Sequence, residues 1–449
     1  MRVAYQSMEI NVPFDAVQGI EYFELKESLN NHSTVCIKFL VDEDKIKDTL
    51  LRMNGASEIL ITEKNEAGEE KTCFCGKAIR FFSKKENGLC YLWAEFLSYT
   101  QEWDLTPKSQ SFCRLTKAYS EVISDVLAEY PKKDIKDEVS NGAVIQDMLL
   151  QYEETDWEFL MRMASHFHSF VVADSSVPYG RAYFGIPNLN YGVILHYGEY
   201  QISRSQNEYD KISKSQEDYA GTEILPQELA KWHILCRKQL HLAESLFFNG
   251  IEVVVTALNI HTEKGELIRE YELSRKSGIL CSKKKNPKIY GMSIPATVRE
   301  RSGNRIRVQM DINQNYEAGE DQKYFTYAIE SSSIYCMPEE NSRVHIYFPS
   351  HDEADAIAVH AISTGGGGGR NPSDKSFITP SGMKMSMKQD EYCFDTGASS
   401  LSIGIDGAFK LIGKSIKFVS PVKFSVGEEI VPVNITAEAE TELNFTIGD

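Results

Sequence analysis

The stretch Gln151–His168, QYEETDWEFLMRMASHFH, packs four acids, one Trp and two His into eighteen residues. Acids and imidazoles at that density serve metal binding or general acid–base chemistry. The spacing argues against both. His166 and His168 lie two apart, roughly 200° around a helix, whereas a helical ligand pair needs i, i+4 spacing as in His-Glu-x-x-His. Thr155 with Glu158 three residues on reads as a capping box. Glu153, Glu154, Asp156 and Glu158 then sit where the helix dipole favours acids, solvated or capping.

Other reactive groupings have equally plain readings. Cys73-Phe74-Cys75 is the one close cysteine pair, in a strand-like run where alternation would put both sulfurs on one face. A zinc site needs about four ligands, and no second pair stands at useful spacing, so packing is the expected role. His233 and His241 are eight apart on an amphipathic stretch, with no acid between them on the same face, and are expected to pack or face solvent. A glycan hydrolase needs paired carboxylates. Glu153/Glu154/Asp156 and Asp352/Glu353/Asp355 are the dense acid groups outside the tail, and they read as a helix start and a hairpin turn. No Gly-x-Ser-x-Gly elbow or Cys–His signature is evident, so no catalytic residue, metal or cofactor is expected. The run Gly365–Gly369 lacks the Gly-Lys-Ser/Thr ending of a phosphate loop and reads as a linker.

The totals bound the rest. A chain of 449 residues has room for about three domains. Hydrophobic residues at 42% and charged residues at 25% suit folded domains rather than disorder. With 48 Lys+Arg against 65 Asp+Glu the net charge is −17, which repels phosphate backbones and anionic membranes, so nucleic-acid binding is not expected. Lys283–Lys285, with Lys288 nearby, reads as a solvated linker. Residues 1–14 lack the apolar core of a secretory peptide, and no apolar run reaches the roughly 18 residues of a membrane span. Nine scattered cysteines suit reduced thiols in a cytosol.

Residues 1 to about 100 read as short strands (FELKESL, TVCIKFLV, SEILITE, KAIRFFSKK, CYLWAEFL) with turns at Asn30-Asn31, Ala67-Gly68 and Asn87-Gly88. Helical spacing follows. Val122, Ile123, Val126, Leu127 and Tyr130 form one stripe ended by Pro131, and Ile145, Met148, Leu149 and Tyr152 form a second. Trp157, Leu160, Met161, Ala164 and Phe167 make one helix face. Strands return from 171 to about 280, interrupted by the amphipathic LPQELAKWHILCRKQLHLAESL. About five strands follow the lysine run, which suits a small barrel of the OB kind.

The last eighty residues hold no helical period. In the final strand Ala437, Ala439, Thr441, Leu443, Phe445 and Ile447 alternate with polar, mostly acidic residues. Such a tail leaves an apolar face wet and strand edges open unless it packs on the rest of its own chain or several chains wrap around one axis and bury a common core; the strand-and-turn repetition favours the second.

In this order the segments resemble VgrG proteins, the spikes of type VI secretion and related phage-tail-like contractile injection systems, which look like a phage tail hub and spike fused in one chain. LKESLNNHSTVCIKFLV resembles the family's early strand pair. QYEETDWEFLMRMASHF matches its Gln-Tyr, acid, Ser/Thr, Phe-Leu, Arg pattern at Gln151, Tyr152, Glu154, Thr155, Phe159, Leu160 and Arg162, with an apolar Met163. YCMPEENSRVHIYFPSHDEADAIAVHAI resembles its OB signature, although Glu340 stands where the family often has glycine.

The resemblance implies a mainly β fold with minor helices. Residues 1–285 would be a hub of β-barrel domains, 286–364 an OB-fold barrel, 365–375 a Gly-rich linker, and 376–449 an intertwined trimeric β-helix spike. It also implies a non-enzymatic homotrimer, assembled in the bacterial cytoplasm and then ejected. An Hcp-like inner tube protein would sit at the hub end, with baseplate proteins around it. A PAAR-like tip protein, with effectors, would sit on Phe445, Ile447 and Asp449, and the target membrane would be contacted in passing. The alternatives are a glycan-binding adhesin, a tail-associated cell-wall hydrolase, or a part of a phage or tailocin particle.

Overall fold

The computed structural model describes residues 2–5, 7–64, 70–214, 224–313, 319–329, 336–362, 373–379 and 381–414. They fall into two compact units, residues 1–363 and 364–449. The Ala67-Gly68 turn, the glycine run and the final alternating strand lie outside the described residues.

The first unit opens with β1 (Arg2–Tyr5), β2 (Met8–Asn11), β3 (Val17–Ser28), β4 (Thr34–Val41), α1 (Glu43–Arg52), β5 (Glu58–Lys64), β6 (Glu70–Glu86) and β7 (Leu89–Ser98). The alternating apolar residues seen in the sequence are the reason. In β4, Val35, Ile37, Phe39 and Val41 are buried while the residues between them are half-buried. Asn30 and Asn87, at the expected turns, take left-handed φ of 64° and 51°.

A mixed layer comes next: β8 (Lys108–Phe112), α2 (Tyr119–Val126), β9 (Lys133–Asp137), β10 (Leu149–Glu154), α3 (Asp156–Ser165), β11 (Val171–Ala173) and β12 (Gly180–Phe184). Strands then resume with β13 (Leu189–Leu195), β14 (Gln201–Ser203), α4 (Gln206–Lys214), β15 (Lys231–Leu235), β16 (Glu244–Phe248), β17 (Ile251–Glu263) and β18 (Glu266–Ser274). These and the first seven strands form one 13-stranded sheet, with the path β1-β2-β5-β6-β7-β4-β3-β17-β18-β15-β14 and β13 and β16 branching from β17. The two halves of the chain thus meet where β3 pairs with β17, Leu25 opposite Ile260.

Two sequence expectations are corrected here. Ile145–Tyr152 is not helical: from Leu149 the chain is strand β10, paired antiparallel with β8. Its i, i+3, i+4 spacing coincides with a strand that has a core on each side. The amphipathic stretch holding His233 and His241 is a 3-10 turn (Pro226–Leu229), then β15, then β16, because sheet pairing of Trp232 and Ile234 with β18 overrides the helical pattern.

The end of the first unit is a five-stranded sheet: β19 (Ser293–Ser302), β20 (Arg305–Met310), β21 (Phe325–Thr326), β22 (Arg343–Tyr347) and β23 (Ile357–Ile362). Its order is β21-β20-β19-β22-β23, and a parallel bridge between Tyr327 and Ala358 joins the two ends, so the sheet closes on itself. Its interior holds Ile294, Ala296, Val298, Ile306, Val344, Ile346 and Phe348.

The second unit, as far as it is described, is an antiparallel meander of β24 (Lys375–Ile378), β25 (Lys384–Met387), β26 (Glu391–Asp395), β27 (Ser400–Gly404) and β28 (Phe409–Ile412). Its register sorts the side chains into two faces. Phe377, Met385, Phe394, Leu401 and Leu411 are direct partners in one row, and Lys375, Met387, Tyr392, Ile403 and Phe409 in the next row on the same face. The intervening row, on the opposite face, is Ser376, Ser386, Cys393, Ser402 and Lys410. The apolar face is open to solvent: Phe377 is 55% and Phe409 64% exposed.

Candidate functional site

The residues of the Gln151–Met163 pattern, with Glu353 of the third segment, converge on one place, the joint between the helical layer and the closed five-stranded sheet. The joint begins with β10, whose alternate residues serve two cores. Leu149 packs with Trp157, Phe159 and Leu160 in the helical layer. Met148 and Leu150 point the other way, into the interior of the closed sheet, and Tyr152 packs beside them.

Glu153 interrupts β10. Tyr152 pairs with Ser109 and Glu154 with Lys108, so Glu153 is an extra residue, at φ 49°. Such a bulge re-aims the side chain that follows it. Glu154 turns inward to Arg162, whose Nε and Nη2 donate to its two carboxylate oxygens, each at 2.8 Å. Arg162 Nη2 also donates to the Leu150 carbonyl at 2.7 Å. Its Nη1 donates to Glu353 Oε1 at 2.6 Å, across to the turn between β22 and β23. Arg162 is 3% exposed and Glu353 6%. Burial opposes the guanidinium's charge, but Glu353 and Glu154 outweigh it and hold its pKa above the ordinary range.

Gln151 and Asp156 make a second buried group, both 0% exposed. Gln151 Nε2 donates to Asp156 Oδ1 at 2.9 Å and to the Glu154 carbonyl at 3.0 Å, and its Oε1 accepts from Gln110 at 2.7 Å. Asp156 also accepts from the Tyr130 hydroxyl at 2.7 Å and pairs with the Lys108 ammonium.

This overturns the expectation that the charges of the motif are solvated or merely capping. Glu154, Asp156 and Arg162 are buried because each has an ionic or hydrogen-bonded partner, which is what makes a buried charge tolerable. Glu353 lies in the turn between β22 and β23, as expected, and is buried for the same reason. The capping box does form. Glu158 N donates to Thr155 Oγ1 at 3.1 Å, and Thr155 N to Glu158 Oε2 at 3.0 Å. The Thr155 hydroxyl also donates to Asp104. Thr155→Ala is therefore expected to cost about 1–2 kcal/mol. Denaturant unfolding followed by Trp fluorescence checks it, since all four Trp lie in the first unit. Phe159 stacks on Phe112 at 6.1 Å and lies 5.1 Å from the Arg162 guanidinium, while Leu160 is fully buried.

Sequence reasoning missed Lys108, Tyr130 and Gln110, which reach the site from a different strand and turn and bear no spacing relation to the motif. It also missed the clasps around the joint. Asn313 bonds both the N–H and the carbonyl of Ser111, at 2.8 and 3.0 Å, and Arg114 pairs with Asp321 at 2.8 Å. The lysine run is a strap rather than a free linker: Lys284 N donates to Ser165 Oγ at 2.8 Å, and Lys285 pairs with Asp352 at 3.0 Å. A cavity of about 360 Å³ lies between β8 and β20, and another of about 350 Å³ beside Glu353, lined by Tyr119, Gln146, Asp147, His166 and Asp352.

His166 Nδ1 meets the Tyr119 hydroxyl at 2.9 Å, and burial pushes its pKa down to about 3. His168 Nδ1 lies 3.1 Å from the Cys281 carbonyl. His233 meets the Ser203 hydroxyl at 2.8 Å. The Lys71 ammonium donates to His241 Nε2 at 2.9 Å, and burial pushes that imidazole down to about 4. Cys73 is the extra residue of a bulge, since Thr72 pairs with Thr62 and Phe74 with Ile61. The bulge breaks the alternation that would have put both sulfurs on one face. Cys73 then accepts from Gln239, while Cys75 has Glu58 and Asp174 as its charged neighbours. Burial pushes the Cys73 thiol up to about 12, far from a reactive thiolate. No group of three or more His, Cys, Asp and Glu among the described residues could hold a metal. The spike-core residues Ala437, Ala439, Thr441, Leu443, Phe445 and Ile447, and Asp449 at the end, lie outside the described residues.

No family model and no curated protein matches the chain. Solved structures do match. The E. coli c3393 protein, a component of the type VI secretion system with structural similarity to the T4 bacteriophage tail proteins gp27 and gp5, superposes with a TM-score of 0.56 at 12% identity, covering 78% of this chain and 98% of its own. The half-lidded Francisella PdpA–VgrG complex matches with a TM-score of 0.57 at 11% identity, over 90% of this chain and 88% of the other. The lidded form of that complex covers 92% of this chain and 81% of its own, with a TM-score of 0.56. The fold is VgrG-like, in agreement with the resemblance carried by the three sequence segments.

Proposed function

We propose, from the fold shared with VgrG-like proteins, that three copies of this chain form a structural spike of a contractile injection apparatus. The observation that carries this reading is the meander of the second unit. One of its faces bears apolar residues in nine of the ten places of two adjacent rows, and seven of the nine are exposed. A single five-stranded meander with a bare apolar face is poorly stable in water, and wrapping three copies around an axis buries it. The strand pairing of the closed sheet supports an OB-type barrel: its first strand pairs with the second and fourth, and its third and fifth run parallel.

In this reading residues 1–285 are the hub, meeting an Hcp-like tube and baseplate proteins, and residues 286–364 are the OB-type barrel. The C-terminal residues Phe445, Ile447 and Asp449 seat a PAAR-like tip protein. The work is mechanical, with assembly in the cytoplasm and ejection through a target envelope. Light scattering on the purified chain tests it. A native mass about three times that of one chain, falling to one when residues 376–449 are removed, is the expected result. A stable full-length monomer removes the spike. Deleting residues 444–449 should abolish binding of a PAAR-like tip protein in a pull-down; retained binding excludes the tip site.

A glycan-binding adhesin has one observation in its favour, since Phe377, Tyr392, Phe394 and Phe409 are exposed on one face. They alternate with Met385, Leu401, Ile403 and Leu411, which offer no ring to stack a sugar, so the face suits packing between chains better.

A further inference from the structure

The slot between β8 and β20 holds a polar group that the fold leaves unused. Gln322 lines this cavity of about 360 Å³ and is 7% exposed. Its backbone is fixed against the end of β8. Arg114 and Gln322 form an antiparallel bridge, Leu115 N donates to the Asp321 carbonyl at 2.9 Å, and Lys323 N donates to the Cys113 carbonyl at 2.9 Å. The Gln322 carbonyl accepts from Arg307 Nε at 3.1 Å. Its side-chain carboxamide, with two donor hydrogens and two acceptor lone pairs, has no hydrogen-bond partner among the described residues. A carboxamide so enclosed costs stability unless something pairs with it.

The walls of the slot select what can pair. Asn313 already pairs an amide with the edge of β8. Its Oδ1 accepts from Ser111 N at 2.8 Å and its Nδ2 donates to the Ser111 carbonyl at 3.0 Å, so one carboxamide reads a main-chain donor and acceptor together. Gln322 offers the same donor–acceptor pair with nothing on it. Lys117 and Asp125, the charged residues of the lining, pair with each other at 2.5 Å, so the walls carry no net charge and disfavour an ion. Val308 and Met310 supply apolar surface. Phe112, the aromatic residue of the lining, is buried and has the Lys117 ammonium 5.4 Å from its ring, so no open ring face is offered to a sugar.

We infer that this slot is a peptide-binding site: it takes a short uncharged segment of a partner chain, one of whose peptide groups pairs with the Gln322 carboxamide. All of its residues belong to the first unit, so the site does not depend on assembly through the meander.

Ligand-observed saturation-transfer NMR on the full-length protein tests it, with acetyl-Ala-Ser-Ala-amide as the probe. Saturation should pass from the protein to the tripeptide. Gln322→Leu keeps the bulk and removes the carboxamide. It should weaken the tripeptide's affinity about tenfold, the loss expected for two neutral hydrogen bonds. It should also leave the denaturant midpoint of the first unit unchanged or raise it, because no protein group loses a partner. Asp or Lys in place of the central Ser of the probe should weaken binding. No transfer to the tripeptide overturns the site, and the slot then holds water only. Undiminished transfer in Gln322→Leu overturns it, as does transfer to N-acetylglucosamine but not to the tripeptide. A lowered midpoint, or a variant that fails to fold, overturns it too, since the carboxamide would then be part of the fold.

Discussion

Phe394→Asp is expected to turn the assembled protein into single chains while leaving the first unit intact. Phe394 is the middle of the row Phe377–Met385–Phe394–Leu401–Leu411, so no other substitution places a charge nearer the centre of the apolar face. In a trimer packed through that face, three carboxylates would be buried together. Burying one polar group without a partner costs about 2–7 kcal/mol, and an ionised carboxylate costs more. The native mass should fall about threefold by light scattering, while the unfolding curve followed by Trp fluorescence stays where it was, because every Trp lies in the first unit. Ser402→Asp, one residue along on the polar face, is the control and should keep the full mass. If Phe394→Asp keeps it too, the copies do not meet through this face.

The second large effect is acid lability. His166 and His241 are held neutral in the folded chain, with pKa pushed down to about 3 and about 4, chiefly by burial. Arg162 near His166, and Lys71 against His241, repel the added proton as well. The unfolded chain protonates both near pH 6.5. Below that pH it therefore gains protons that the folded chain refuses, and stability falls as pH drops from about 6.5 towards 4. At pH 5 each histidine accounts for about 2 kcal/mol of that loss. Glu27 and Glu244 work in the opposite sense, since burial raises both carboxyls, so the slope of the parent protein is a sum. The difference between variants isolates the histidines. His166→Gln should lose about 2 kcal/mol less than the parent between pH 7 and pH 5 in denaturant titrations, and the double variant with His241→Gln about 4. Parallel pH profiles would show that neither imidazole is held neutral.

The strands of the first hundred residues were legible because they alternate: the spacing of Val35, Ile37 and Phe39 is enough to say which face of β4 is buried. Helix α3 was legible from its cap and its apolar face. What misled was a coincidence of periods. Ile145, Met148, Leu149 and Tyr152 have helical spacing, yet Met148 and Leu149 point into different cores, and one sequence pattern cannot distinguish a helix with one buried face from a strand with two. The acids of the motif misled for a different reason. Whether a carboxylate is solvated or buried depends on its partners, and those of Glu154 and Asp156 include Arg162, eight residues on, and Lys108, 48 residues back. The two rows of the meander needed the register: Phe394 and Leu401 become neighbours only once the turn between β26 and β27 is placed.

The sharing of β10 between two cores has a consequence for synthesis. Met148 and Leu150 complete the interior of a sheet whose last strand ends at Ile362, 212 residues after Leu150. At a ribosomal rate of about 5–20 residues per second, the helical layer is finished while those two side chains wait some 10–40 seconds for the strands that will cover them. During that interval the nascent chain has Met148 and Leu150 without their covering strands and Arg162 without the Glu353 carboxylate.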